Sequence, residues 1–315
     1  DMAGMIDLDF VPSFAAWLGK QAKIVVSEVN CSCLRVYDAD GDDPSKVLAI
    51  LDRIHSHPVT TIALVPSADV MISADTKGLI EYWSNDDHQL VSNQNCKLVN
   101  FRLKSETDLF ELAKARTKVL HLEVAKTGQR FVVTCANRSI MVFDFARGKR
   151  TFMVDESAAS YAVEGALALP SGEDVEVGSR LKQQVEQEAE NARFTATFDK
   201  SGDVLMYGCP LGVKMVLLSA MGGKLVRIVA TEDTDVLFTS LALYQGVPKI
   251  DKQYLLAKKK EEKQQQEQGE GKGFTEATNS SSSSGRSEIE ADPVLFMTAY
   301  GKKRVYCLST RLPNN

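Results

Sequence analysis

The chain has 315 residues, of which 44% are hydrophobic, and a formal net charge of −5 at pH 7. This composition can bury a sizeable core, and its acidic balance gives no overall reason to expect contact with nucleic acid or an anionic membrane. The six cysteines form no Cys-x-x-Cys pair, and no apolar run approaches the roughly 20 residues of a membrane-spanning helix. We therefore expect a globular protein of a reducing compartment, with no membrane contact.

Five double runs of apolar residues, each split by a short turn, recur along the chain. Their second runs begin at Leu34, Ile80, Ile140, Val213 and Val305. A strand-like segment precedes each pair, and an extended stretch follows four of them: "SKVLAILD", "NFRLKS", "KRTFMVDES" and "GKLVRIVATED". Apolar runs bounded by turn residues are typical of hairpins. Each unit is thus predicted to hold three or four antiparallel strands.

The spacing and composition of these units favour one architecture. The shortest interval, from Leu34 to Ile80, is close to the ~40–45-residue period of a WD-type propeller blade, and the longer intervals must contain insertions. Stacked blades cover both faces of their inner strands, which explains continuous apolar runs such as "KIVV", "FVVT" and "IMVF". A β-sandwich, the alternative, predicts cleaner alternation. We predict an all-β fold over residues 1–315, a partial WD-repeat β-propeller.

The first interruption of the strand pattern is "SETDLFELAKAR". Ser105 and Asp108 stand at the spacing of a capping box ahead of an apolar run, which predicts a short helix.

The second interruption, residues 157–193, is predicted to be a helical insertion between blades. Its apolar residues recur every four positions among Glu, Gln and Lys, as in an amphipathic helix: Val177, Leu181, Val185 and Ala189. Such a helix either lies on the propeller rim or is reserved for a partner, and the first alternative is favoured.

The third interruption, residues 249–290, contains "KKKEEKQQQEQGEGKG" and a serine run. With almost no apolar side chains, it cannot offset the entropy of ordering, so we predict a disordered low-complexity loop. Its lysines and glutamates nearly balance, which argues against an RNA-binding arm.

Six stretches together resemble the WD-repeat region of one family, the nuclear cyclophilins called peptidyl-prolyl isomerase domain and WD repeat-containing proteins. They occur in the same order over nearly the whole chain: "IHSHPVTTIALVP" (54–66), "SADTKGLIEYW" (73–83), "DLFELAKA" (108–115), "FDKSGDVLMYGCPLGVK" (198–214), "LALYQG" (241–246) and "ADPVLFMTAYGKKRVYCLSTRLP" (291–313). The resemblance implies about five of seven blades here and a cyclophilin domain C-terminal to this segment. Since the chain starts at Asp1, we expect it to be a piece of a longer protein.

The general WD family also ties each blade together with a buried network of His, Ser or Thr, Asp and Trp. By resemblance, His55, Ser73 and Trp83 occupy three of these positions, whereas Lys77 falls where the turn Asp is expected. Asp75, two residues earlier, is the candidate replacement, so the network is either shifted or absent. These residues are candidates for folding and not for chemistry.

No catalytic, cofactor-binding or metal-binding constellation emerges from the sequence. The two imidazoles of "HSHP", His55 and His57, lack a third ligand nearby. No phosphate-binding loop or nucleophile elbow is present, and the Phe-His-Arg signature of the cyclophilin site is missing. We expect no cofactor and no isomerase activity in this segment.

The first functional hypothesis is a non-catalytic scaffold that binds protein partners, expected to be spliceosomal components, within a nuclear isomerase of pre-mRNA splicing. A propeller presents loops from several blades side by side, which suits proteins better than a small-molecule substrate. The alternatives are a propeller that directs prolyl substrates to the attached isomerase domain, and an unrelated WD-repeat adaptor. Direct contact with nucleic acid is not expected.

Overall fold

The computed structural model describes residues 5–19, 22–162, 177–219, 222–246 and 293–309. Internal contacts divide the chain into two compact units. The first comprises residues 1–243 and 295–307 and holds nearly all of the described structure. In the second, residues 244–294 and 308–315, the described residues are the ends of strands and their immediate neighbours.

The described residues form strands in five sheets, numbered here in chain order. The first sheet contains β1 (Pro12–Leu18), β2 (Lys23–Glu28), β3 (Leu34–Asp38) and β4 (Val47–Leu51); the second β5 (Val59–Val65), β6 (Val70–Asp75) and β7 (Ile80–Ser84); the third β8 (Val119–Val124), β9 (Arg130–Cys135), β10 (Ser139–Asp144) and β11 (Lys149–Asp155); the fourth β12 (Ala196–Phe198), β13 (Val204–Cys209), β14 (Gly212–Leu217) and β15 (Lys224–Val229); the fifth β16 (Phe238–Tyr244), β17 (Val294–Ala299) and β18 (Val305–Ser309).

Neighbouring sheets stack face to face and share their cores. One apolar cluster joins the first two sheets through residues such as Val36 and Met71, a second joins the second and third, and a third joins the third and fourth. The fourth and fifth sheets approach closely enough for the Thr195 N–H to donate to the Thr239 carbonyl over 2.8 Å. This serial stacking is that of propeller blades, not of a two-layer sandwich, and the predicted fold class is confirmed.

The stacking explains why the central strands lack alternation. All six residues of β6 are buried, because one face of the strand packs on the first sheet and the other on the third. A strand covered on both faces needs apolar side chains at successive positions.

The capping box predicted at Ser105 is wrong. Ser105 lies inside a 3-10 turn, Lys104–Glu106, and helix α1 spans Glu111–Ala115 with no side-chain cap. The Asp108 carboxylate is engaged elsewhere, since it accepts hydrogen bonds from Lys149 Nζ (3.0 Å) and the Arg150 N–H (2.9 Å) of β11.

The helical insertion contains helix α2, Gly178–Ala189, and a 3-10 helix, Ala158–Ala162. The predicted apolar contact face is wrong in part, because Val185 is 53% exposed. The face that packs is polar, and its buried residues are Arg180, Gln184 and Gln187. Residues 163–176, like the loop predicted over 249–290, lie outside the described residues.

The second sheet has three strands, so the fourth strand predicted for "NFRLKS" is wrong. After β7 the chain pairs only briefly, with the Val91 N–H donating to the Tyr82 carbonyl over 2.9 Å. It then turns, because the Asn95 side chain donates to the Leu90 carbonyl (2.9 Å) and accepts from the Ser92 N–H (2.8 Å).

Candidate protein-binding surface on the first two sheets

The structure brings the four candidate network residues together between the first and second sheets. His55 Nε2 lies 2.7 Å from Ser73 Oγ, which also accepts a hydrogen bond from the Trp83 indole N–H at 3.0 Å. His55 Nδ1 lies 3.4 Å from the Asp75 carboxylate. Asp75 ends β6, and its other carboxylate oxygen accepts from the backbone N–H groups of Lys77 and Leu79 at 2.8 and 3.0 Å. The carboxylate therefore reaches the turn from a position two residues earlier than the general pattern.

Burial shapes the electrostatics of this network. Burial itself opposes ionisation of Asp75, but hydrogen bonds from His55 and from the N–H groups of Leu79 and Lys77 hold the pKa of its carboxyl below the ordinary value. The charged form is thereby stabilised inside the protein.

Ser73 contacts His55, and His55 contacts Asp75, as in a Ser-His-Asp hydrolase triad. The surroundings, however, do not suit catalysis. The His55 and Asp75 side chains have no exposed surface, and Ser73 and Trp83 are equally buried. The buried Ser73 hydroxyl is closed to substrate, and its oxygen already accepts a hydrogen bond from the Trp83 indole N–H. The arrangement satisfies buried polar groups.

The sequence did not predict the buried polar contacts that hold α2 against the fourth sheet, here called the α2 anchor. Arg180 has no exposed surface, and its guanidinium donates to four backbone carbonyls of the fourth sheet and the segment after it: Pro210, Ala230, Thr231 and Asp233. The signal was present, because Arg180, Gln184 and Gln187 recur at helical spacing. Polar residues at that spacing form the exposed face of most amphipathic helices, whereas here they are buried.

A buried ion pair lies beside this anchor. Lys214 Nζ of β14 lies 2.7 Å from the Glu156 carboxylate, with side chains only 16% and 3% exposed, and the Tyr161 hydroxyl also donates to Glu156. Burial disfavours the ammonium, yet the neighbouring Cys209 and Glu156 raise the pKa of Lys214. The pair fastens the start of the insertion to the fourth sheet.

Exposed apolar side chains mark the outer surface of the first two sheets. Ile50 of β4 is 58% exposed and Leu90, after β7, is 51% exposed. Both line a groove of about 510 Å³, formed by residues 50–54 and 87–90. Asp52, Arg53 and Asp87 give the groove a charged edge, with the Arg53 guanidinium 3.9 Å from the Asp52 carboxylate, and its volume is in the range of ligand-binding clefts. Apolar side chains framed by charge on a rigid support are features of protein-binding surfaces.

Within the described ranges, no three His, Cys, Asp or Glu side chains gather as metal ligands. His57 is exposed, with Nδ1 3.1 Å from Ser56 Oγ. Among the described helices, none has the length and apolar character to cross a membrane.

No family profile matches the chain. Curated peptidyl-prolyl isomerases, however, match it over nearly the whole length of this chain. The chain is 32% identical over 322 residues to the peptidyl-prolyl cis-trans isomerase cyp15 of Rhizopus delemar, covering 99% of this chain and 47% of that protein. It is 30% identical to the isomerase CYP71 of Arabidopsis thaliana (99% and 46%) and 27% identical to the human peptidylprolyl isomerase domain and WD repeat-containing protein 1 (100% and 45%).

The family resemblance is confirmed. The chain spans about half the length of the curated relatives that it matches. Among solved structures, similarity is found to Chaetomium thermophilum Sqt1 (12% identity, TM-score 0.46, 76% of this chain and 51% of that one) and to the Cps50 (Swd1) β-propeller domain of Myceliophteria thermophila (13%, 0.44, 75% and 60%). The fold assignment rests on the stacked sheets themselves.

Proposed function

We propose that this chain is a non-catalytic scaffold that binds protein partners, as part of a nuclear peptidyl-prolyl isomerase that acts in pre-mRNA splicing. The observation that carries the binding role is the groove on the first two sheets, where Ile50 of β4 and Leu90, which is bridged to Trp83, are exposed beside the shared core. Rigid elements hold contact residues in place without an ordering cost at binding. The isomerase names of the relatives support the parent activity, and the resemblance supports the nucleus and splicing.

The binding role is tested by purifying a tagged chain from nuclear extract and identifying the proteins that accompany it. Two surface charges, Ile50→Glu and Leu90→Glu, are introduced together, and Leu225→Glu on β15 serves as the control because Leu225 is also exposed, at 39%. We expect splicing proteins with the wild type and the control, and their loss with the double variant. Recovery of no splicing protein with the wild type would refute the splicing role. Unchanged recovery with the double variant would refute the groove as the binding site.

A further inference from the structure

An open cleft lies at one end of the second and third sheets. Its walls come from the β6–β7 turn, the connection between α1 and β8, the β9–β10 turn and the segment after α2. Main-chain hydrogen bonds fix the two turns, because the Thr76 N–H donates to the Pro58 carbonyl over 2.9 Å and the Ala136 N–H donates to the Lys118 carbonyl over 2.8 Å. This space, here called the basic cleft, has a volume of about 430 Å³.

Two of the residues that line the basic cleft are cations without a counterion. Arg116 is exposed and Lys118 is half-buried. Among the described residues, no carboxylate lies within ion-pair distance of either side chain or of Lys77, which is exposed in the β6–β7 turn. Glu111, at the start of α1, pairs instead with Arg150 of β11. The cleft is therefore locally positive, although the chain as a whole has a net charge of −5.

The acids that flank the segment after α2 are engaged elsewhere. The Glu188 carboxylate lies 3.9 Å from Nε of the buried Arg138. The Glu190 carboxylate accepts a hydrogen bond of 2.9 Å from the hydroxyl of Tyr300, which follows β17 of the fifth sheet. No acidic residue is among the described residues that line the basic cleft.

The uncharged lining residues of the basic cleft add hydrogen-bond donors. Asn137 is exposed, and its Oδ1 accepts from the N–H and the hydroxyl of Ser139 at 3.3 and 2.6 Å. Because the backbone N–H can only donate, this contact fixes which end of the amide is the oxygen and leaves the NH₂ group to donate to a ligand. Donors from Arg, Lys and Asn side chains together suit an anion.

A further cation extends the positive surface toward the first sheet. Arg193 is exposed and lies two residues after Asn191 of the cleft lining. Its guanidinium lies 5.5 Å from the centre of the Phe14 ring of β1. After burial, its positive charge is the second cause of the lowered pKa of His121 in β8. Cations thus come from three separate connections of the chain, which matches a row of carboxylates better than one compact anion.

We propose that the basic cleft binds an acidic, extended segment of a partner protein, whose carboxylates pair with Arg116 and Lys118. Aromatic side chains on which unpaired bases stack are a usual feature of single-strand nucleic-acid sites, and none is among the described lining residues. A short acidic segment also meets only the local positive charge, whereas a long nucleic acid would extend over the acidic remainder of the chain. This inference rests on the proposed scaffold function and names the chemistry of one partner.

The probe is a fluorescein-labelled hexapeptide of alternating Asp and Glu, DEDEDE, and its uncharged counterpart is NQNQNQ with the same label. Binding to the 315-residue chain is measured by fluorescence anisotropy at about 50 mM and about 300 mM salt. The test variant combines Arg116→Gln with Lys118→Gln. The matched control combines Lys97→Gln with Lys126→Gln, since both lysines are exposed, lie outside the cleft lining and change the net charge equally. Thermal unfolding checks that each variant folds, and Lys118→Glu alone is an independent second variant.

We expect saturable binding of DEDEDE that weakens at higher salt, a loss of about tenfold in affinity with the test variant, and unchanged affinity with the control. Lys118→Glu should also weaken binding, and it decides the outcome if the test variant is unfolded. Absence of DEDEDE binding, equal binding of NQNQNQ, or equal losses in the test and control variants would overturn the proposal. A uridine oligonucleotide that displaces DEDEDE more strongly than unlabelled DEDEDE does would overturn it too and assign the cleft to RNA. If splicing proteins still accompany the chain in any of these cases, the scaffold function stands and only the cleft assignment fails.

Discussion

Ser73 and Trp83 are joined by a hydrogen bond of 3.0 Å from the indole N–H to the hydroxyl oxygen, across two paired strands of one sheet. The same oxygen lies 2.7 Å from His55 Nε2. One small side chain thus satisfies two large buried neighbours, and its removal should cost more than its size suggests.

Ser73→Ala should destabilise the protein by ~1–3 kcal/mol, because it leaves the buried Trp83 and His55 nitrogens without their partner. The free energy of unfolding is measured by urea titration. Ser56→Ala is the control, since its hydroxyl is exposed, and it should change stability by less than ~0.5 kcal/mol. Equal effects of the two substitutions would show that the network contributes nothing.

The stability of the protein should fall in mild acid through His121. Burial and the positive charge of Arg193 lower the pKa of His121 from 6.5 to about 4. The folded protein binds this proton more weakly than the unfolded chain, so the contribution is complete above pH ~6.5 and is lost as pH falls toward about 4, by up to ~3 kcal/mol.

This pH dependence is measured by urea titration between pH 7 and pH 4.5. His121→Gln should flatten the profile, whereas the exposed His57→Gln should leave it unchanged. Identical profiles for the wild type and His121→Gln would assign the acid sensitivity to other groups.

Lys214→Met should destabilise the protein by roughly 3 kcal/mol, because it leaves the Glu156 carboxylate buried without its cation. The matched control is Lys149→Met, whose pair with Asp108 is 49% and 27% exposed and should contribute ~0–1 kcal/mol. Thermal unfolding followed by circular dichroism measures both. Similar midpoints for the two variants would mean that the buried pair does not fasten the insertion.

Gly208→Ala should loosen the contact between the fourth and fifth sheets. A Cβ at this position would lie 2.0 Å from the Phe238 carbonyl oxygen, so one sheet must shift, at a cost of ~1–3 kcal/mol. At Gly178, by contrast, an added Cβ meets no atom within 4 Å. Gly178→Ala should therefore leave the melting temperature unchanged and serves as the control. An unchanged melting temperature for Gly208→Ala would contradict the close approach of Gly208 to the Phe238 carbonyl.

The fold could be predicted because its signal is repeated. Each apolar double run is an independent indication of a hairpin, and the burial of β6 agrees with its mostly apolar sequence, in which Ser73 and Asp75 are buried within the polar network. The missing strand of the second sheet could not be predicted, since "NFRLKS" reads as a strand. Asn95 redirects the chain through its side-chain hydrogen bonds, a contact that depends on three-dimensional position.

The sequence singled out the residues of the buried network but not their geometry, and it did not single out Ile50 or Leu90 of the groove. His55, Ser73 and Trp83 stand at the expected positions, but sequence could not decide whether Asp75 reaches the turn. The buried face of α2 differs from the predicted apolar one for a physical reason. The buried side chains of α2 donate to backbone carbonyls. Every residue has a backbone carbonyl, so the sequence does not show which carbonyls accept these hydrogen bonds.

The sharing of each apolar cluster by two neighbouring sheets has a consequence for how the surface can evolve. Where repeated units contact only their neighbours, stability is approximately a sum of terms for each unit and each contact, so a change at one contact acts mainly on the two sheets that share it. Residues near Leu90 can therefore change while the distant pair of Glu156 and Lys214 keeps its environment.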